Sequence, residues 1–159
     1  MESRLGELPA AELVDVLEET LHTRMRAGLA RLETLVRGVE ILHGLDERYP
    51  RGLAGQVEVL SIDLSDHMEK EERVIFPAVR RGLSVELTPP IRVMRREHED
   101  LLESLASIRD ATEMFPGPDR ADVAPRWQEF RVAFDEFERG LKSQLEIEDR
   151  ILFPQLCAS

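Results

Sequence analysis

The sequence contains two copies of one thirteen-residue segment, HMEKEERVIFPAV from His67 to Val79 and QLEIEDRILFPQL from Gln144 to Leu156. Glutamate, arginine, phenylalanine and proline recur at matching positions, always 77 residues apart. The matching residues are Glu69, Glu71, Arg73, Phe76 and Pro77 in the first copy and Glu146, Glu148, Arg150, Phe153 and Pro154 in the second. A repeat with a constant offset indicates a fold built from two similar halves.

Each copy places a carboxylate in the apolar stripe of a predicted helix. Residues four apart lie on one helix face, which pairs His67 with Glu71 and Gln144 with Glu148. The apolar residues predicted to share these faces are Leu53, Val57, Leu60, Leu64, Val74 and Ile75 in one helix and Phe130, Phe134, Phe137, Leu141, Ile151 and Leu152 in the other. Carboxylates rarely enter a core unless they are paired or bound to a metal. The two glutamates therefore predict a cation between the helices.

Proline lacks the backbone N–H that donates a hydrogen bond inside a helix, so Pro77 and Pro154 predict a kink or a stop just beyond the site.

The remaining periodicity predicts an all-α chain of four long helices. The predicted ranges are Pro9 to about Leu45, Arg51 to Arg81, Pro89 to Met114, and Asp122 to Phe153. The longest connector, GLSVELTPP, precedes the third helix, and an aromatic cluster around Trp127 begins the fourth. Helices joined by short loops pack as an antiparallel, up-down-up-down four-helix bundle. We therefore expect residues 1–159 to form one domain.

The antiparallel arrangement decides which histidines can meet. The early part of the first helix lies beside the late part of the second, so His22, predicted at the edge of the apolar stripe of the first helix, can reach His67 and Glu71. By the same argument, His98 reaches Glu148. Glutamine is a weak ligand for iron, so Gln144 makes the site asymmetric or incomplete. The predicted metal-binding residues are His22, His67, Glu71, His98, Glu148 and Gln144.

Three further polar residues, His43, Asp63 and Glu18, lie on the first two predicted helices outside the set of predicted ligands. His43 lies about 31 Å from His22 along a continuous helix, at 1.5 Å per residue. We therefore predict a structural role for His43. Asp63 and Glu18 lie one helical turn from His67 and His22, where they either orient the imidazoles or remain surface charges.

Composition excludes several classes of partner. A formal net charge of −11 argues against binding to nucleic acid or to an anionic membrane surface, because both require a basic patch. No apolar run approaches the roughly 20 residues of a membrane span, and the N-terminus lacks the apolar core of a signal peptide. The single cysteine, Cys157, excludes a disulfide framework and favours a reducing cytoplasm. No catalytic nucleophile motif or phosphate-binding glycine loop is evident.

The pattern His…His-x-x-x-Glu…His…Gln-x-x-x-Glu, with Phe-Pro after each glutamate, resembles the hemerythrin-like HHE cation-binding domain. The HGL segment at His43 and the spacing of the first three histidines resemble the branch called repair of iron centres. The resemblance implies a four-helix bundle with a non-haem di-iron centre bridged by two glutamates. His22, His67, His98, Glu71 and Glu148 match ligand positions, and Gln144 occupies the position of the remaining histidine. We expect this chain to lack the cysteine-bearing N-terminal domain of full-length members.

Three functions remain open at this point. The first is a cytoplasmic protein with two iron ions, or one, that binds or reacts with oxygen, peroxide or nitric oxide during oxidative or nitrosative stress. The second is a metal- or gas-sensing module whose site is single or weakened because of Gln144. The third is a degenerate structural bundle. Whether the protein is an enzyme stays open.

Overall fold

The computed structural model describes residues 2–82 and 87–157, with only the backbone described for residues 2 and 3. These residues form helices and no strands, which confirms the predicted four-helix bundle. After a short helix, Glu2–Leu5, the first bundle helix consists of Ala10–Val16, Leu17–His22 and Thr23–His43. The second consists of Leu53–Lys70, Glu71–Ile75 and Phe76–Arg80, the third is Thr88–Met114, and the fourth consists of Ala124–Ile147, Glu148–Leu152 and Phe153–Leu156.

The helix boundaries follow local chemistry. Pro9 immediately precedes the first bundle helix, and prolines occupy the first turns of the third and fourth helices, where a missing N–H costs nothing. Gly82 follows the second helix with a φ of 59°, a conformation that glycine adopts without steric penalty. Residues 83–86 of the predicted long connector lie outside the described residues. None of the described helices combines the length and the apolar character that a membrane span requires.

Two apolar clusters occupy the interior of the bundle. The larger contains Trp127, Phe130 and Phe134, in agreement with the predicted aromatic cluster, and the smaller contains Leu13, Phe76 and Phe153. Along every helix the predicted metal-binding residues fall between members of the two clusters; in the first helix, for example, His22 lies between Leu17 of the smaller cluster and Met25 of the larger one. A buried polar layer therefore separates two apolar regions.

Three of the four helices contain a π-helical turn beside this polar layer, at Leu17–His22, Glu71–Ile75 and Glu148–Leu152. The N–H of Phe76 donates to the carbonyl of Glu71, and the N–H of Phe153 donates to the carbonyl of Glu148. Both bonds span five residues, where an α-helix would span four.

These π turns correct two predictions based on a constant helical period. Val74, predicted to face the core, is 55% exposed, because the extra residue in the turn changes the phase of the helix. His22, predicted at the edge of its stripe, is fully buried, one π turn after Leu17. The helices also continue through Pro77 and Pro154, so a stop there is wrong. The irregular turn lies immediately before each Phe-Pro pair.

Candidate metal centre

The six predicted metal-binding residues converge in one buried layer, contributed by all four helices. Each is exposed by no more than 1%. The π turns help to place them: Glu71 and Glu148 are the first residues of their π turns, and His22 is the last residue of its own. The residues are His22, His67, Glu71, His98, Gln144 and Glu148.

The donor atoms of this layer lie within a few ångströms of one another. His67 Nε2 is 3.0 Å from Glu71 Oε1 and 3.6 Å from Glu148 Oε1. His98 Nε2 is 3.3 Å from Glu148 Oε1 and 3.1 Å from His67 Nε2, while His22 Nε2 is 3.6 Å from Glu71 Oε1. Two sets of donor atoms, each within 4.8 Å, could hold an ion: His67, His98 and Glu148, and His22, Glu71 and Glu148. Glu148 belongs to both sets.

Several polar atoms in the layer have unused bonding capacity. Within the described residues, both oxygens of Glu71, Oε1 of Glu148 and Nε2 of His22 lack a hydrogen bond of ordinary geometry. Leaving such atoms buried and unsatisfied costs about 1–3 kcal/mol each. Two nitrogen ligands bound at right angles to a metal, with bonds of about 2.1 Å, would lie roughly 3.0 Å apart, close to the 3.1 Å between His67 and His98. The residues therefore fit a bound cation.

The buried layer contains imidazole rings and carboxylates that shift one another's pKa. Burial lowers the pKa of His67, but its contacts with Glu148 and Glu71 outweigh burial and raise the pKa to about 10. Burial also lowers the pKa of His98, and its contacts with Asp149 and Glu148 raise it to about 9. Burial and the charge of Glu148 raise the pKa of Glu71. Burial would raise the pKa of Glu148 as well, but contacts with His67 and His98 hold it well below its usual range. Protons on the rings thus balance the carboxylates, and a cation must displace these protons.

Two further carboxylates orient the histidines. Glu72 Oε1 lies 2.9 Å from His22 Nδ1, and Asp149 Oδ1 lies 2.9 Å from His98 Nδ1. A hydrogen bond from Nδ1 to a carboxylate directs Nε2 towards the centre of the layer and makes Nε2 a more basic ligand. An arginine about one turn from each histidine pairs with the same acid: Arg26 with Glu72 and Arg95 with Asp149.

The repeated phenylalanines support the same two rings. Phe76 stacks on His22 with 5.5 Å between ring centroids, and Phe153 stacks on His98 with 5.6 Å between centroids. Each copy of the repeat therefore supplies a central glutamate, then an acid that binds a histidine of the preceding helix, and then a phenylalanine that packs on that histidine. These three roles explain why the spacing Glu-acid-x-x-x-Phe occurs in both copies.

Of the two alternatives for Glu18 and Asp63, the structure supports surface charges. Glu18 pairs with Arg80, and Asp63 is exposed, so both are surface charges. The sequence signal that identifies the actual pair is the acidic residue directly after each central glutamate, Glu72 and Asp149. Within the part of the chain that the structure describes, the Nδ1 of His67 has no hydrogen-bond partner, and Glu97 Oε1 lies 3.8 Å from it.

The remaining predicted residues occupy distinct positions. Gln144 faces the layer, where its Nε2 donates to Glu148 Oε2 at 3.0 Å; its Oε1 has no partner within the described part of the chain. His43 lies outside both donor sets, at the far end of the continuous helix Thr23–His43. Its buried ring lies 6.2 Å from that of Phe115 between centroids. The role of the six buried residues as ligands stays a prediction.

The fold and this buried histidine–glutamate layer define a four-helix protein with a candidate cation-binding centre. Residues 14–156 match the family model of the hemerythrin HHE cation-binding domain, and the chain belongs to that family. It is similar to the iron-sulfur cluster repair protein YtfE of Musicola paradisiaca, with 30% identity over 98% of this chain and 75% of the relative.

It is also similar to a "Probable iron-sulfur cluster repair protein" of Haemophilus influenzae, with 33% identity over 92% of this chain. The chain spans only 65% of the length of that relative. These relatives agree with the predicted repair-of-iron-centres branch of the family.

Proposed function

We propose that this chain binds non-haem iron in the buried layer and that the bound iron binds or reacts with small oxidants such as oxygen, peroxide or nitric oxide. The observation that carries the proposal is the pair of buried glutamates, Glu71 and Glu148, whose unsatisfied oxygens face three imidazole nitrogens. Without a cation, the layer would bury two carboxylates balanced only by protons on the rings. Five residues would hold the metal: His22, His67, Glu71, His98 and Glu148.

The protein residues would hold and shield the metal. Bound iron would supply redox chemistry and positions open to small ligands. Glu72 and Asp149 would fix the ring orientation of His22 and His98. The two apolar clusters on either side of the polar layer would exclude bulk water and large substrates, which favours a diatomic or peroxide ligand.

The names of the relatives add a physiological context. Both are iron–sulfur cluster repair proteins by name, and we propose that this chain likewise serves in oxidative or nitrosative stress. Because the chain spans 75% and 65% of their lengths, a complete repair activity need not reside in this chain. A cytoplasmic location follows as part of the same proposal.

Metal analysis tests the iron proposal directly. The purified protein is loaded with ferrous iron without air, freed of excess metal, exposed to air and analysed for iron content and for visible charge-transfer absorption. We expect at least one tightly bound iron per chain and visible absorption, both lost in Glu148→Ala. Glu146→Ala is the matched control, because it removes an exposed glutamate from the same helix. This variant should retain the iron and the visible absorption. A colourless wild-type protein without iron would refute the proposal.

A second candidate function depends on Gln144. If the amide in place of a histidine leaves room for only one ion, metal or gas occupancy would serve as a signal to a partner. This sensing function predicts a single iron per chain at saturation, and two tightly bound ions per chain would exclude it.

A further inference from the structure

The donor atoms of the buried layer divide into two chemically unequal sets. His67 and His98 approach the same carboxylate oxygen, Oε1 of Glu148, at 3.6 and 3.3 Å. Gln144 contacts the other oxygen, Oε2, at 3.0 Å. The two nitrogen donors and the amide therefore lie on opposite sides of Glu148. His22 is the single imidazole of the second donor set, in which Glu71 and Glu148 are the other members. Glu71 Oε1 lies 3.0 Å from His67 Nε2 and 3.6 Å from His22 Nε2, so both glutamates contact both sets, and the sets differ in the number of imidazoles.

We propose that the centre consists of a nitrogen-rich subsite, formed by the two imidazoles of His67 and His98, and an oxygen-rich subsite, formed by the imidazole of His22 and the amide of Gln144, with Glu71 and Glu148 shared between them. Iron occupies the nitrogen-rich subsite first, and the oxygen-rich subsite accepts manganese. This inference rests on the proposed iron binding and extends it to a mixed-metal centre.

Ligand chemistry separates the two metals. Imidazole is a favourable donor for iron, whereas carboxylates, carbonyls and water suit manganese. At any one site divalent iron binds more tightly than divalent manganese, but the margin depends on the donor atoms. Replacing an imidazole by an amide removes a nitrogen ligand from the oxygen-rich subsite. This change lowers the affinity for iron more than the affinity for manganese, so the two affinities become more similar there. The nitrogen-rich subsite keeps both imidazoles and the larger preference for iron.

The conclusion holds for either orientation of the Gln144 amide. With Nε2 on Glu148, as in the structure, the glutamine positions the shared carboxylate and leaves water to complete the oxygen-rich subsite. With the amide turned by half a rotation, its Oε1 becomes an oxygen donor. Both arrangements leave His22 as the single imidazole of that subsite.

The test is competitive loading of the whole chain. Metal-free protein receives one equivalent of ferrous iron and an excess of manganese without air, and unbound metal is removed. We expect one iron and one manganese per chain, and anomalous scattering at the two absorption edges should place iron beside His98 and manganese beside His22. Gln144→His should lose manganese and bind two irons when both metals are in excess. Gln155→His, at an exposed position of the same repeat, should behave as the wild type.

The outcomes separate this inference from the iron proposal. Wild-type protein that binds two irons with equal affinity and rejects manganese would refute the unequal subsites while leaving iron binding intact. Retention of manganese by Gln144→His when both metals are in excess would also refute them. Protein that binds no iron under any of these conditions would refute both proposals.

Discussion

Replacing Glu72 with alanine should weaken one subsite of the centre and leave the other unchanged. Glu72 Oε1 is 2.9 Å from His22 Nδ1, and the side chain is 20% exposed. A hydrogen bond to a charged group contributes about 1.5–3 kcal/mol, and loss of such an orienting partner costs roughly 10–100-fold in metal affinity. Because water can partly replace the exposed carboxylate, we expect a loss near the lower limit, about ten-fold or 1.4 kcal/mol.

The measurement is an anaerobic competition titration against a coloured chelator, fitted with two dissociation constants. Glu72→Ala should weaken the oxygen-rich subsite, which contains His22, whereas Asp149→Ala should weaken the nitrogen-rich subsite, which contains His98. Glu69→Ala and Glu146→Ala are matched controls, since each removes an acid that pairs with an arginine four residues later on the surface. Equal weakening of both constants by Glu72→Ala, or no more effect than Glu69→Ala, would refute the reasoning.

Three further predictions concern protonation, the distant histidine and packing. Loading the site near neutral pH should release at least one proton, because neighbouring carboxylates raise the pKa of His67 to about 10 and that of His98 to about 9, and the two Nε2 atoms lie 3.1 Å apart, which leaves room for one proton between them. Metal affinity should therefore rise as pH increases towards 9, and calorimetry in buffers of different ionisation enthalpy would contradict this if it detected no proton release. His43→Phe should leave metal content unchanged by elemental analysis, and a loss of metal would contradict a structural role. Gly28→Ala should reduce the free energy of unfolding by about 1–3 kcal/mol, since the added Cβ would lie 2.8 Å from Phe137 Cδ2; an unchanged denaturant midpoint would contradict this.

The repeat made the fold and the depth of the site predictable. Burying a glutamate in an apolar stripe costs free energy unless a partner compensates its charge. Glu71 and Glu148 therefore predict the depth in the bundle at which polar residues of all four helices converge. Antiparallel packing then selected His22 and His98 and separated them from His43. These arguments needed only residue spacing and the cost of burying charge.

The π turns were not predictable from the same reasoning, because it assumed a constant period of 3.6 residues. Beyond each π turn the assumed phase is wrong, which explains why Val74 was assigned to the core and His22 to its edge. A spacing of five between buried residues, as between Leu17 and His22, is the sequence signal of such a turn.

The orienting acids were missed for a different reason. Spacing along one helix offers only Asp63 and Glu18 as candidates, because each lies one turn from a histidine, and it leaves open whether they are surface charges. The acids that bind the histidines are instead 50 and 51 residues away in sequence and approach from the neighbouring helix. Contacts between helices depend on rotation about each helix axis, which residue spacing within one helix does not reveal.

The widened turns also limit how the length of this chain can vary. Each contains one residue more than an ordinary turn, so deleting a single residue, for example Arg73, would restore the α-helical phase. Phe76 would then rotate by about 100° relative to Glu71 and leave the ring of His22. Among homologous sequences, a one-residue gap at this position would therefore mark proteins that assemble the interior differently, even if every histidine and glutamate were retained.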